Sequence, residues 1–543
     1  MNALVGTGLL FAATLRRDFI RIITWALTLP VIHLGAVIAL RGVFDDDPVS
    51  MAARGAIIET PTGIIFGGPG YGSDHYTVAA MIANELTFYY EIPLAIGLLL
   101  LVIRATRGDE ESGRFELVGA AGVGRLSALA SSLLTALLIA VSNGVLLTAA
   151  GAATGLELHS SLLWAWGIAG CGFLFASLGA VCAQLSTSER NANLIALVAV
   201  GTAFALRTVG DIQRLHGSLL SWFSPLAWTH QLRAYVAPRA WPLLLYLVVS
   251  VALTALAFVL AARRDFGAGL LPNRLGRATA PRTLNSPLAL PVRLLRTTVL
   301  AWLVTVVAFG AACGPLLGQL GAYVRDNAEV YEKLLGVSAD AANQVLVDAF
   351  IAYLLLFFAV FGAVAGVMAL GRLRDFETQG IMELQLAHPV SRIRLLGAWC
   401  TVALVSPVLL LTAGAFSTGI LTPAEYWGDS PTALAFGINL AKQSLVYLPA
   451  AAVMIGVAAL LIGWAPKFIN LAWAYLSYVV FCGMFGTLLG LPEWAIKISA
   501  VGATPALPGH PMQWPPVLVL CAIAIALVGA GLIGFRNRDI PQT

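Results

Sequence analysis

Two charged segments of this chain share their residue types and their spacing. Residues 107–125 read RGDEESGRFELVGAAGVGR, and residues 374–392 read RDFETQGIMELQLAHPVSR. At an offset of 267 residues they are identical at eight of nineteen positions without a gap. The shared residues include Arg107, Glu110, Gly113, Glu116, Leu117 and Arg125 in the first segment, and Arg374, Glu377, Gly380, Glu383, Leu384 and Arg392 in the second. Acids and arginines at such spacing can form ion pairs, with each other or with a partner. We call each segment a cassette.

A glycine divides each cassette into two parts. The arginine and the first glutamate are i,i+3 neighbours before Gly113 and before Gly380, and the second glutamate follows each glycine. Because residues nine apart on an unbroken helix point in opposite directions, each glycine predicts a turn. We therefore predict two short helices, within residues 114–121 and 381–388, that fit two equivalent pockets on a two-fold partner.

The alternative is that the cassettes carry only the ordinary charges of a hairpin between membrane spans. Such charges explain arginines there, but not glutamates at the same spacing with glycines in register. Asp109 and Arg114 have no counterpart in the second cassette. We expect these two residues to be surface charges that tolerate replacement by alanine.

Other residue types that could do chemistry are scattered along the chain. The seven histidines have no metal-ligand spacing, and the six cysteines lie in or beside apolar runs. None of the four lysines lies in a G-x-x-x-x-G-K-[ST] phosphate-binding loop, and the glycine-rich residues 67–72 (GGPGYG) contain no lysine. We therefore predict no catalytic residue, no metal site and no cofactor bound by this chain, which is expected not to be an enzyme.

One carboxylate lies inside an apolar stretch long enough to span a membrane. Glu91 occurs in FYYEIPLAIGL, and its counterpart at the 267-residue offset is Phe358. An ionisable group in a span is costly, and its default interpretation is functional. We predict an aromatic cavity for bulky amphipathic compounds, cations among them. Its residues are Tyr89, Tyr90, Glu91, Phe357, Phe358 and Phe361. The alternative is that Glu91 lies near the membrane surface and is hydrated.

The whole chain is very apolar. Of its 543 residues, 59% are hydrophobic and 11% are charged, against about 25% charged in a typical soluble domain. This composition predicts an all-α polytopic membrane protein, and its basic residues lie in loops, which gives no indication of nucleic-acid binding. The twelve predicted spans are 22–40, 84–103, 126–149, 161–185, 192–209, 241–262, 297–318, 347–370, 396–420, 444–463, 470–490 and 516–535. An interfacial helix is predicted at 3–21.

The placement of arginine predicts the topology. Residues 263–296 hold seven arginines and one acid, whereas the loop after the first span is acidic. Because basic loops stay inside, both cassettes and both termini are predicted to be cytoplasmic. Residues 210–240 are basic yet fall outside, so we expect this loop to fold back into the membrane interface.

The repeat extends beyond the cassettes. Each half opens its last span with Trp-Pro and closes it with a basic-acidic tail, RRD at 263–265 and RNRD at 536–539. These shared features predict a tandem duplication of a six-helix unit. The predicted domains are residues 1–262 (first half), 263–296 (cytoplasmic linker) and 297–543 (second half).

The pattern R-x-x-E-x-x-G-x-x-E-L of both cassettes resembles the cytoplasmic coupling segment of ABC-2-type exporter permeases. Residues 224–228 (SPLAW) and 262–272 (ARRDFGAGLLP) are similar to the fused twelve-span branch of polyketide-antibiotic (tetronasin-type) exporters. The outer loop of the second half, residues 504–515 (TPALPGHPMQWP), departs from the SPLAW pattern.

The resemblance implies an ATP-driven exporter of antibiotics, other drugs or lipids in a bacterial cytoplasmic membrane. ATP and Mg²⁺ are then expected on separate ATPase subunits, which dock on the cassettes. Because one chain supplies two cassettes, we expect two ATPase copies per chain.

Three other functions stay open: a proton-coupled secondary multidrug transporter, a membrane-embedded lipid-linked transferase and a scaffold. Secondary transporters usually carry several intramembrane carboxylates or arginines, whereas Glu91 is nearly alone in this sequence. A transferase needs clustered acids or histidines at one membrane face, and the sequence shows no such cluster.

Overall fold

The helices of this protein follow from its apolar stretches. In a bilayer every backbone N–H and C=O needs a partner within the protein, and a helix satisfies them within one segment. The computed structural model describes residues 3–44, 48–59, 61–114, 122–214, 216–265, 267–271, 279, 284, 286–326, 339–485, 492–509 and 511–539. Across these residues all regular secondary structure is helical, which confirms the all-α polytopic class.

Eleven helical segments in the described part of the chain are long and apolar enough to cross a membrane. They are Phe19–Gly42, Val78–Glu111, Ser127–Ala153, Leu158–Leu185, Glu189–Gln213, Pro242–Arg263, Ala289–Gly318, Asn343–Thr378, Arg392–Leu421, Ala433–Trp464 and Trp514–Asn537. The remaining predicted span, 470–490, contains the helix Asn470–Phe485, and its last residues lie outside the described part. The count of twelve therefore stays a prediction.

The chain divides into two compact units, Met1–Gly276 and Arg277–Thr543. The first unit contains the helices Thr7–Arg17 (α1), Phe19–Phe44 (α2), Pro48–Ile58 (α3), Pro61–Gly67 (α4), Val78–Met81 (α5), Thr87–Ile103 (α6), Asp109–Glu111 (α7), Ser127–Ala153 (α8), Leu158–Leu185 (α9), Glu189–Gln213 (α10), Pro225–Gln231 (α11) and Pro242–Arg263 (α12). Two π-helical turns, Ile82–Leu86 and Arg104–Gly108, extend α6 at both ends.

The described part of the second unit is also built of helices. They are Ala289–Asp326 (α13), Ala339–Thr378 (α14), Ile381–Leu386 (α15), Arg392–Leu421 (α16), Ala433–Ser444 (α17), Leu448–Trp464 (α18), Asn470–Phe485 (α19), Glu493–Ile498 (α20) and Trp514–Asn537 (α21). The tandem duplication and the boundaries 1–262, 263–296 and 297–543 stay predictions.

Helix α9 lies at the centre of the first unit, where it packs against α6, α8 and α12. Its large side chains Trp164 and Phe175 are buried. Close approach to α6 depends on Gly179, because a Cβ there would lie 2.8 Å from the carbonyl oxygen of Leu99. Between membrane helices, such small-residue contacts take the place of the hydrophobic effect. This packing fixes the end of α6 from which the first cassette continues.

Helices α14 and α16 pack together in the second unit through two glycines of α14. A Cβ on Gly362 would lie 2.5 Å from the Cα of Pro407, and one on Gly366 would lie 2.8 Å from the carbonyl oxygen of Ala403. Real Cβ atoms do not come so close to backbone, so larger residues at these positions would push the two helices apart.

We expect the substitution Gly362→Leu to destabilise the second unit by about 1–3 kcal/mol, the typical cost of overpacking a filled core. The measurement is the midpoint of thermal unfolding of the detergent-purified protein. The matched control is Gly371→Leu on the same helix, where a Cβ would meet no atom within 4 Å. Equal midpoints for the two variants would contradict the tight contact between α14 and α16.

The predicted interfacial segment forms a separate helix, α1, that ends at Arg17 and precedes α2. The chain before α1 hydrogen-bonds to the segment that follows the first cassette. The amides of Gly124 and Leu126 donate to the carbonyl oxygens of Val5 and Ala3, at 2.8 and 2.9 Å. The N-terminal segment thus helps to fix where α8 begins.

Candidate functional site

Each cassette begins at the end of a long helix. In the first unit α6 continues through the π-helical turn Arg104–Gly108 into α7, and in the second unit α14 runs to Thr378. The chain then turns at Gly113 and at Gly380, both with a φ of 72°. Glycine adopts this left-handed conformation without a steric penalty. The turns that the spacing of the charges predicts are therefore present in both units.

The carboxylate of Glu110 holds the first cassette in place. It pairs with Arg107 at 3.1 Å and with Arg264 at 2.8 Å, and it accepts a hydrogen bond from the amide of Gly267 at 2.6 Å. Arg107 is only 1% exposed and also donates to the carbonyl oxygen of Ala183, at 3.0 and 2.8 Å. The network ties the cassette to the ends of α9 and α12.

The carboxylate of Glu377 has the corresponding position in the second unit. It pairs with Arg374 at 2.9 Å, and Arg538 donates to both of its oxygens, at 2.6 and 2.7 Å. A two-pronged contact between arginine and carboxylate is strong and directional. The i,i+3 pairs predicted from the sequence are thus confirmed in both units, and in each unit the glutamate also binds an arginine at the end of the last span.

The last arginine of each cassette binds the same helix end. Arg125 donates to the carbonyl oxygen of Arg264, and Arg392 donates to that of Arg538, the latter at 2.5 Å. Arg264 and Arg538 are the C-terminal caps of α12 and α21, where a basic side chain satisfies a free carbonyl. The shared tails RRD and RNRD therefore belong to the cassette networks. Sequence reasoning noted these tails without connecting them to the cassettes.

Burial limits what the network residues can do. The side chains of Arg107, Glu110 and Glu377 are buried and paired within their own units. They could contact a partner protein only by breaking these pairs, which would leave charges buried without a counter-charge. If these three residues take part in coupling to a partner protein, they therefore do so by positioning the turn that follows them.

In the second cassette, the segment that follows Gly380 has side chains that face solvent. In α15 Met382 is fully buried and anchors the short helix, whereas Glu383 is exposed and Leu384 is 70% exposed. An exposed leucine beside an exposed carboxylate is suited to a partner with an apolar pocket and a basic or N–H group. The corresponding Glu116 and Leu117 lie outside the described residues.

Asp109 does not behave as the free surface charge that we expected. Its carboxylate pairs with Arg17 of α1 at 2.9 Å and with Arg114 at 3.4 Å, and its side chain is only 14% exposed. The sequence gave no sign of this contact, because α1 lies some ninety residues earlier in the chain. Asp109 links the N-terminal helix to the first cassette, so it is unsuitable as a neutral control.

Glu91 is enclosed inside the first unit and lies neither at a hydrated surface nor in an open cavity. It is 1% exposed, and it is hydrogen-bonded by the hydroxyl groups of Tyr246 and Thr229. Tyr90 is also buried, whereas Tyr89 is 56% exposed and so lies on the other side of the helix. That these three neighbours line one side of a substrate cavity stays a prediction.

The predicted aromatic residues of α14 belong to the second unit. Phe358 is fully buried, with its ring perpendicular to that of Phe309 at 6.2 Å. Phe357 and Phe361 are half-buried, and the ring of Phe361 lies 5.7 Å from that of Trp302. Phe358 thus serves the packing of its own unit, and a cavity shared with Glu91 stays a prediction.

Sequence reasoning missed a buried ion pair in α10. Arg207 and Asp211 lie 3.1 Å apart and are 1% and 0% exposed. Asp211 also accepts from the hydroxyl of Ser221 at 2.6 Å, and Arg207 donates to the carbonyl oxygen of Ile65 at 2.6 Å. The sequence signal that could have revealed this ion pair is the i,i+4 spacing of an arginine and an aspartate at the end of a predicted span. Glu91 is therefore not nearly alone among the charged residues of the candidate spans, contrary to our expectation.

The loop 210–240 folds back onto the first unit. Its helix α11, which carries the SPLAW residues, is buried from Leu226 to Gln231. The imidazole of His230 lies 3.2 Å from the carbonyl oxygen of Asn84. Burial lowers the pKa of His230 to about 3, so this side chain is neutral at physiological pH. The loop therefore folds back onto protein, and its predicted place in the membrane interface stays a prediction.

Comparison with known proteins identifies the family. A family model described as "Multidrug efflux system permease Rv1217c, C-terminal domain" matches residues 55–260 and 284–536. The chain belongs to this permease family. It is 33% identical over 546 residues to the multidrug efflux system permease protein Rv1217c of Mycobacterium tuberculosis (strain ATCC 25618 / H37Rv). That alignment covers 99% of this chain and 96% of the relative.

Family membership confirms the permease part of the resemblance and leaves the tetronasin-type branch as a prediction. Among the described residues of this permease, no group of three or more His, Cys, Asp or Glu side chains is placed to hold a metal ion. Its two charge networks, one in each unit, each bring ionisable side chains of distant helices together at the glutamate that precedes the glycine of a cassette.

Proposed function

We propose that this chain is the membrane subunit of an ATP-driven exporter that moves bulky amphipathic drugs out of the cell. One observation carries the proposal: in a multidrug efflux permease, the same charge network holds a cassette at the end of the last span in both units. A rigidly held short helix with an exposed end is what transmission of force from a soluble subunit requires. The recurrence of the network also supports the tandem duplication.

The proposed partner is an ABC-type ATPase, with two copies bound to one permease chain. ATP and Mg²⁺ would be bound by that partner, and α15 and its counterpart would dock into its two subunits. We assign the complex to a bacterial cytoplasmic membrane, with the cassettes and both termini inside. Native mass spectrometry of the purified complex tests the ratio of one to two, and two permease chains per complex would contradict it.

A proton-coupled secondary transporter is the second candidate. The buried residues Glu91, Arg207 and Asp211 favour it, because proton-driven carriers use such intramembrane charges. These side chains are enclosed by protein, whereas Glu383 and Leu384 of α15 are exposed. The two candidates differ in their energy source, which an experiment can vary.

We expect transport by the reconstituted complex to require ATP hydrolysis and to be independent of a proton gradient. Inside-out vesicles that contain the permease and its ATPase should accumulate rhodamine 6G when ATP is added. An ATPase variant without its P-loop lysine should reduce accumulation by at least about tenfold, since that lysine binds the phosphates. The readout is the initial rate of dye uptake.

A protonophore provides the control for the energy source. With ATP present, it should leave the uptake rate unchanged. Uptake that follows an imposed pH gradient without ATP, and that stops with the protonophore, would reject the ATP-driven proposal in favour of the secondary transporter.

A further inference from the structure

The second unit contains a cavity of about 450 Å³ at the end of α14 opposite to its cassette. Asp348 lies on the α14 wall, 26 residues before Arg374, which corresponds to roughly 40 Å along a helix. Residues of α19 and of the segment 496–509 form the other walls. A cavity of this size lies within the range of pockets that hold drug-sized ligands.

Asp348 is a carboxylate close to the first residue of a candidate membrane span. It is the sixth residue of the span Asn343–Thr378 and was not singled out in the sequence. Its carboxylate accepts a hydrogen bond from the neutral amide of Gln344 at 3.1 Å, whereas Glu110 and Glu377 each face two arginines. A carboxylate on the wall of a mostly apolar cavity is a candidate recognition group for a ligand, because a few placed polar groups give such pockets their specificity.

The remaining lining is apolar and aromatic. Ala349 and Leu356 of α14 line the cavity together with Tyr353 and Tyr447. Tyr353 is 45% exposed, and the hydroxyl of Tyr447 donates to the carbonyl oxygen of Ala352 at 3.4 Å. Apolar walls accept the hydrophobic body of a ligand, and aromatic rings attract a cation through their negative faces. The carboxylate and the two rings thus select for positive charge.

We infer that this cavity binds amphipathic organic cations, with the carboxylate of Asp348 as the counter-charge. The inference rests on the proposed export function, since it names the substrate class of the exporter. The residue proposed to recognise charge is Asp348, which borders an accessible cavity, in place of Glu91, which is enclosed.

The test is direct binding of a matched pair of probes to the purified permease in detergent, without the ATPase. Tetraphenylphosphonium is a bulky cation, and triphenylphosphine oxide is a neutral relative. The substitution Asp348→Asn should raise the Kd of tetraphenylphosphonium by at least about tenfold, the typical loss for one charged contact. The Kd of triphenylphosphine oxide should change by less than about twofold, since no charge is involved.

Two further variants separate charge recognition from folding and from general charge effects. Asp429→Asn removes an exposed carboxylate of the same unit and should bind both probes as the wild type does. Ala349→Trp fills the cavity from an exposed position on α14 and should weaken both probes alike. Each variant should elute as a single peak in size-exclusion chromatography.

The outcomes distinguish this inference from the proposed function. Unchanged tetraphenylphosphonium binding by Asp348→Asn, or an equal loss of both probes, overturns the assignment of Asp348, while ATP-dependent dye uptake would still support the exporter. Conversely, a selective loss of the cation with no ATP-driven transport by the vesicles supports the binding site and overturns the ATP-driven proposal.

Discussion

Replacement of both Glu116 and Glu383 by alanine is expected to separate most of the permease from its ATPase. A carboxylate that binds a basic or N–H group of a partner contributes about 1.5–3 kcal/mol when the contact is partly buried. One replacement should therefore weaken the complex by roughly tenfold or more, and two by roughly a hundredfold or more. Because two tethered contacts reinforce each other, each single variant should retain part of the complex.

The measurement is a titration of tagged permease variants with purified ATPase, alongside drug export by intact cells. Asp375→Ala is the matched control, because Asp375 is an exposed acid of the second cassette that the first cassette does not share. If the double variant binds ATPase and exports drugs as the control does, the cassettes are ordinary hairpin charges, and the proposed coupling role is rejected.

The class of fold could be predicted from the sequence because a bilayer imposes its length on each apolar stretch. Eleven of the predicted spans correspond to helices of the structure, although several helices are longer. The second span is an example: it was predicted to end at residue 103, but the π-helical turn and α7 extend it to Glu111. The extension carries charged residues, which a search for apolar stretches excludes.

Contacts within one helix were also predictable, whereas contacts between distant helices were not. The i,i+3 pair of Arg374 and Glu377 follows from helical spacing alone. The second partner of Glu377, Arg538, lies 161 residues later in the chain, and nothing in a hydrophobic pattern states which spans are neighbours. The same limit explains why Glu91 was assigned to a cavity, since its enclosure depends on Tyr246 and Thr229 from other elements.

The second large effect is expected for Glu377→Ala, which should destabilise the permease and uncouple drug export from the ATPase. The substitution leaves the partly buried side chains of Arg374 and Arg538 without their shared counter-charge. Removal of one partner from a buried pair typically costs about 3–5 kcal/mol, and we expect about 3 kcal/mol because both arginines keep some contact with water. The midpoint of thermal unfolding in detergent should fall accordingly, with Asp375→Ala on the same helix near the wild-type value.

Removal of both Glu377 and Arg538 provides a sharper test of the network. In the double variant Glu377→Ala/Arg538→Ala, one of the two opposed arginines is gone, so the loss of stability should be smaller than the sum of the two single losses. Because α15 still presents Glu383 in this variant, binding to the ATPase should weaken less than export does. A residue that contacts the ATPase directly would instead weaken binding and export together. Additive losses, or a Glu377→Ala variant as stable as the Asp375→Ala control, would mean that the pair does not hold the cassette in place.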